Sequence, residues 1–207
     1  MSNRLKDYGL YIFSLILMGL GIALITKANL GTSAVSSVAY VLSKIYPSLS
    51  FGFFTFIINV LYVFIQVLIL RKDFPKYQYV QVLVGPILGL FIDLSMFVLA
   101  FIVEPPFIVS ILILCGGCLF IALSIISQIK ADVIINPTEA IIKVISEKLN
   151  IEFSKVKVSF DSGLVVVALI LSLIVFKRII GLGLGTLVSA FLVGYFLKFL
   201  KRKEEVV

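Results

Sequence analysis

Six stretches of this sequence are apolar for long enough to cross a lipid bilayer, and that property narrows the fold more than any other. They are residues 9–26, 51–70, 79–103, 107–129, 158–176 and 179–199. About 20 residues of helix cross the hydrocarbon layer. That layer holds no water to satisfy backbone N–H and C=O groups, so such segments must be helices that pair these groups internally. The chain is 61% hydrophobic, with a mean hydropathy of +1.19 over 207 residues. A soluble domain of this length has no core large enough for so much apolar surface. The expectation is one all-α integral membrane domain over residues 1–207. Arg4 and Lys6 precede the first run as they would in a signal peptide. That run is too long for a typical signal core and no clear cleavage site follows, so it reads as a retained first helix.

The sequence also repeats itself. Gly19-Leu20-Gly21-Ile22, ending in Lys27-Ala28, returns 103 residues later as Ala122-Leu123-Ser124-Ile125, ending in Lys130-Ala131. The stretch from Gly85 to Ile92 returns 100 residues later as the stretch from Gly185 to Leu192. Residues 1–103 and 107–207 each hold three spans. An odd number makes the second copy enter the membrane upside down, which predicts six transmembrane helices as two inverted three-helix repeats. Transporters recurrently use this architecture, with the ligand site where the repeats meet.

Charge sets the orientation. With the N-terminus inside, 14 Lys and Arg lie in cytoplasmic segments and 4 (Lys27, Lys44, Lys177 and Arg178) lie outside. This positive-inside bias predicts both termini in the cytoplasm. The net charge of +7 therefore reflects membrane anchoring rather than nucleic-acid binding.

Each repeat also carries a shorter amphipathic segment, 32–45 and 136–150. Neither is long or apolar enough to span, so each is expected to be an interfacial or re-entrant half-helix. Asn136-Pro137-Thr138-Glu139 has the chemistry of a helix start: Asn caps, Pro occupies the first position and Glu the third. Leu30-Gly31-Thr32-Ser33 is the matching start in the first repeat.

The run Ala28-Asn29-Leu30-Gly31-Thr32-Ser33, followed by Phe91-Ile92-Asp93-Leu94, Asn136-Pro137, Lys157-Val158-Ser159-Phe160-Asp161 and Gly185-Thr186, resembles the YczE/YyaS/YitT group of bacterial membrane proteins. The resemblance extends over nearly the whole chain. It implies a multi-pass protein of the bacterial cytoplasmic membrane and supplies no substrate or catalytic residue.

Several polar residues within apolar surroundings are candidates for a solute or ion site. Asp93 lies inside the third span, where a carboxylate costs about 2.5–3.5 kcal/mol on insertion scales unless it meets a cavity or partner. It reads either as an ion, proton or substrate contact or as a structural hydrogen bond between helices. Asn59 and Asp161 are its expected partners. Aligning Phe51 with Phe153 places Asn59 on Asp161, near the axis relating the repeats. The structural alternatives are helix–helix bonding by Asn59 and pairing of Asp161 with Lys157 one turn earlier. Lys27 and Lys130 also correspond. They read as snorkelling lysines or as partners of the half-helix N-termini. In the latter case Gly31, Thr32, Ser33, Asn136, Thr138 and Glu139 would line a polar vestibule.

Two other motifs read as packing. Cys115 and Cys118 form a C-x-x-C inside an apolar helix, where a thiolate is disfavoured. Gly181, Gly183 and Gly185 lack the strand–helix context of a nucleotide loop and suit close helix approach.

The expected function is a small secondary transporter or permease moving a small polar solute. The alternatives are a substrate-binding membrane subunit needing an energising partner and a non-transporting accessory membrane protein. An enzyme is not expected: histidine is absent and no nucleophile–base set is evident. No cofactor or metal site is expected. The expected partners are the bilayer and the solute, with a homo-oligomer or an energising subunit left open. Reporter fusions at Pro47, Glu104 and Lys177 should read as external, and those at Lys76 and Lys148 as internal; a cytoplasmic signal at Glu104 would overturn this topology.

Overall fold

A computed structural model describes the backbone of residues 2–204 and the side chains of residues 4–200. Eight α-helices form, with no strand among the described residues: α1 (Ser2–Lys27), α2 (Ser37–Ile45), α3 (Phe51–Leu70), α4 (Gln81–Val98), α5 (Phe107–Ala131), α6 (Pro137–Leu149), α7 (Phe153–Phe176) and α8 (Leu184–Glu204). Five of them, α1, α3, α4, α5 and α7, are long and apolar enough to cross a bilayer. This is an all-helical membrane protein.

The long helices leave large apolar side chains such as Phe64, Phe97, Phe107 and Ile174 exposed on the outside. Buried inside are small and polar residues, among them Ser14, Asn59, Gln66 and Ser124. Lipid is as apolar as leucine, so helix association comes from close packing and hydrogen bonds. The α1–α5 crossing shows how. A Cβ on Gly21 would sit 2.8 Å from the Gly117 carbonyl oxygen, and one on Gly117 would sit 2.8 Å from that of Gly21. Above the crossing, Ser124 donates to the Ser14 carbonyl at 2.7 Å. Position 14 faces 124 and position 21 faces 117, so the two helices run antiparallel.

The other helices assemble around this pair. α4 packs on α1, α8 on α5, and α3 on α4; α2 lies against α3 and α7, and α6 against α3 and α7. The central cluster takes Met18, Ile22 and Ile25 from α1, Phe51 and Phe54 from α3, Leu88 and Ile92 from α4, and Leu114, Cys118 and Ile121 from α5. Cys115 and Cys118 are free thiols, and Cys118 is fully buried among apolar neighbours.

Two helix starts differ from those read in the sequence. The first short helix begins at Ser37, not at residue 32. Asn29 and Gly31 take positive φ values of 56° and 122°, which break the helical path. Thr32 then gives its N–H to the Gly181 carbonyl at 2.8 Å instead of starting a helix. The last apolar run becomes helical only from Leu184, because Gly181 adopts φ 73°. The residues around it form a loop against Leu30: Gly185 donates to the Leu30 carbonyl at 2.8 Å, and a Cβ on Gly183 would lie 2.5 Å from the same oxygen. These glycines permit close backbone approach, but in a loop at the helix start. The apolar part of α8 is consequently Leu184–Leu200, shorter than the other five. The second short helix starts where expected: the Asn136 side chain accepts from the Thr138 N–H at 3.3 Å, and Pro137 follows at the first position.

The α3–α4 contact is the tightest. A methyl group on Gly52 would overlap the Gly89 carbonyl oxygen and crowd the Asp93 carboxylate. Backbone must move to admit it, so Gly52→Ala should lower stability by about 1–3 kcal/mol, read as a drop in melting temperature of the detergent-purified protein. An unchanged melt would mean that α3 and α4 are not held in this contact.

Candidate functional site

A cavity of about 230 Å³ lies at the centre of the bundle. Its walls are largely apolar, with Met18, Ile22 and Ile25 from α1, Ile121 and Ile125 from α5, and Leu88 from α4. Polar groups enter from four places. Thr55, Asn59 and Tyr62 come from α3, Ser33 and Ser36 from the turn before α2, Asn136, Thr138 and Glu139 from the start of α6, and Lys157 and Asp161 from α7. On α8, Ser189, Ala190, Val193 and Gly194 close part of the wall. α7 and α8 pack on each other far less than α3 and α4 do. A Cβ on Gly194 would touch nothing within 4 Å, so the cavity is roomy on that side.

Helix geometry accounts for the convergence. Thr55, Asn59, Tyr62 and Gln66 fall at i, i+4, i+7 and i+11, a polar stripe along one face of α3, and all four are buried. Asn59 donates to the Thr55 carbonyl at 3.0 Å, which holds its amide along the helix wall. Gln66 ties α3 to the α6 start, donating to the Pro137 carbonyl at 3.4 Å. Lys157 Nζ lies 3.3 Å from Asp161 Oδ2, an i,i+4 pair on α7.

Three polar atoms at this cavity are buried without a hydrogen-bond partner: Tyr62 OH, Glu139 Oε2 and Asp161 Oδ1. Glu139 keeps one face on the cavity but is otherwise enclosed by protein. Burial raises its carboxyl above the ordinary carboxylate range; Asp161 adds to the rise, and Lys157 and the Glu139 backbone N–H oppose it.

The residues singled out in the sequence therefore divide. Asn59, Asp161, Ser33, Asn136 and Glu139 meet at one cavity. Thr32 lies behind the wall, its hydroxyl shared with Thr26 at 2.9 Å and Ser36 at 3.2 Å. Lys27 reaches the Ile102 carbonyl at 3.5 Å at the end of α4, and Lys130 is not on the cavity wall. Asp93 is outside the cavity too, and its expected partners Asn59 and Asp161 are not its partners. It accepts from the Gly52 N–H at 2.7 Å and from the Ser50 hydroxyl, while Ser50 in turn accepts from the Phe53 N–H at 3.0 Å. Asp93 thus places a carboxylate on the α3 N-terminus, where free N–H groups and the helix dipole favour one. Tyr62 was not foreseen as a site residue, although the polar stripe on α3 marks it.

Asp93→Ala removes both bonds and leaves the Gly52 N–H without its acceptor, so stability should fall by about 1–3 kcal/mol. Asp93→Asn, which keeps one acceptor, should lose less. Melting of the three proteins in one detergent checks this order, and equal melts would show that the cap contributes nothing.

No curated protein and no solved structure matches the chain. A family model matches residues 5–202, so the chain belongs to DUF6198, a family of unknown function.

Proposed function

We propose that this protein is a small secondary transporter of the bacterial cytoplasmic membrane, built from two inverted three-helix repeats, with the central cavity as its solute site. The observation that carries this reading is that the cavity is lined by repeat-equivalent positions. Ser33 corresponds to Asn136, Ser36 to Glu139, Thr55 to Lys157, Asn59 to Asp161 and Ile22 to Ile125, and all ten face the same space. An axis in the membrane plane passing through the cavity would produce this arrangement, and transporters of the inverted-repeat type bind solute there.

The packing supports the same axis. It would exchange α1 with α5, α2 with α6, α3 with α7 and α4 with α8. The contacts α1–α4 and α5–α8 then correspond, as do α2–α7 and α6–α3. Ser14 and Ser124, which bond each other, are the equivalents of Gly117 and Gly21, which touch. α8 is the sixth crossing in this reading. Its apolar stretch of 17 residues rises roughly 26 Å at 1.5 Å per residue, and Lys198 can snorkel at its end. The 14-to-4 distribution of basic residues puts both termini in the cytoplasm. The motifs that resemble the YczE/YyaS/YitT group point to the same bacterial setting.

One pair breaks the correspondence, and it gives the transport cycle a starting point. α3 and α4 are in backbone contact at Gly52 and Gly89, whereas their equivalents α7 and α8 stand apart. Alternating access requires this inequality: one gate closed while the other is open, with the roles exchanged in the second state.

Purified protein in liposomes should move solute without a partner; binding without flux would favour a subunit that needs an energising partner. Gly194→Phe fills space on the cavity side of α8 that no atom occupies. It should leave the melting temperature near that of the parent and lower flux by about tenfold or more, equivalent to at least about 1.4 kcal/mol of solute binding. Full flux in a folded Gly194→Phe protein would remove the cavity from the pathway.

A further inference from the structure

We propose that the cavity selects a small organic cation, an ammonium group on an apolar body, which Glu139 and Asp161 bind. The site rests on the cavity being the solute site, and its chemistry follows from which groups there lack partners. The α6 N-terminus, a place where free N–H groups attract anions, has its first donors occupied. The Thr138 N–H is held by the Asn136 side chain, and the Glu139 N–H by its own carboxylate. Before α2, the N–H groups of Ser36 and Ser37 are bonded to Ser33 and Ala34. The unpaired atoms at Glu139 and Asp161 are acceptors, and the unpaired hydroxyl of Tyr62, on a side chain only 5% exposed, can also accept. A ligand that completes this site brings donors.

Charge points the same way. Glu139 and Asp161 face one cation, Lys157, which is already 3.3 Å from Asp161. The other titratable groups here are Tyr11 from α1, beside Glu139, and Tyr62 from α3, beside Asp161; α4 and α8 bring no charged group to the wall. With both carboxylates ionised the site carries one net negative charge in apolar surroundings, a strong preference for a monovalent cation. Burial favours the protonated form of Glu139 in the empty site. Entry of R–NH₃⁺ then displaces that proton to the bulk, so one cation replaces another and the charge of the site is unchanged.

The test is calorimetric titration of the full-length protein in phosphatidylglycerol nanodiscs. The probes are methylammonium, n-butylammonium and phenethylammonium, set against neutral 2-phenylethanol and anionic 3-phenylpropionate. At least one ammonium should bind saturably, and about tenfold or more tighter than the neutral and anionic probes. Below the Glu139 titration, affinity should weaken about tenfold for each unit fall in pH and level off above it, as release of one proton demands. Glu139→Gln should weaken binding by about tenfold or more and flatten that dependence. Equal binding of the neutral probe, no binding of any ammonium, or parent-like binding by folded Glu139→Gln would overturn the proposal. If Glu139→Gln does not fold, the proton count in the parent decides, measured below the Glu139 titration in buffers of different ionisation enthalpy: one released per ammonium supports the site, none refutes it. Repeating the titration in phosphatidylethanolamine nanodiscs separates the sources of the ammonium. Competition identifies a lipid headgroup, and unchanged affinity a free amine. Ammonium binding without flux would keep the cation site and remove transport; flux of another solute without ammonium binding would do the reverse.

Discussion

The backbone contact between Gly21 and Gly117 is the constraint on which the rest of the bundle depends. Without water between helices there is no hydrophobic drive to join them, so two helices associate only as closely as their side chains permit. Two glycines at one crossing let α1 and α5 touch, and that contact creates the central pair on which α4 and α8 pack. The serines above the crossing, Ser14 and Ser124, convert the same closeness into a buried hydrogen bond. The short helices α2 and α6 each pack on α3 and α7, and residues at both their starts line the cavity.

Much of this was legible because the bilayer simplifies the problem. A run of apolar residues bounded by Lys, Arg, Pro or Asn has few fates in hydrocarbon, so α1, α3, α4, α5 and α7 fall close to where the hydropathy places them. The Asn136-Pro137 start of α6 was legible for a local reason, since cap and first turn involve only neighbours in sequence. The start of α2 was not. Its path is set by Thr32 bonding to Gly181, 149 positions away, a pairing no local pattern announces. The same contact delays α8, because the loop around Gly181 is shaped to receive residues 30–32.

The candidate site shows a similar division. Asn59 and Asp161, matched in the sequence by aligning Phe51 with Phe153, both line the central cavity. Depth in an apolar run misled for Asp93. The rule that a carboxylate in a span must have a partner holds, but hydropathy does not say whether the partner belongs to a cavity or to the next helix. Here the next helix begins at that level, and its Ser50 hydroxyl and Gly52 N–H take the charge. Tyr62 lay hidden for the opposite reason: a tyrosine in an apolar run looks like core, and only its place on the stripe with Thr55 and Asn59 separates it.

The carboxylates of this protein differ by what surrounds them, and that difference orders their roles. Asp93 is matched by donors on α3, so its charge is satisfied and its effect is to hold α3 against α4. Asp161 is half matched, with Lys157 on one oxygen and nothing on the other. Glu139 has only its own backbone N–H and the field of Lys157 in its favour, and one oxygen is buried beside the cavity without a partner. A fold under no demand but stability would replace such a group, since a well-packed apolar side chain in its place avoids the desolvation. The three carboxylates thus run from a closed structural bond on the α3–α4 side to open binding capacity beside α7. This gradient parallels the packing, tight between α3 and α4 and slight between α7 and α8. Exchanging the two sides would expose the Asp93 bonds as α3 and α4 part, so those bonds resist the exchange and the energy of filling the cavity must offset them. In the proposed transport cycle the Asp93 cap would belong to the switch between states, and the unpaired carboxylate oxygens to the solute that drives it.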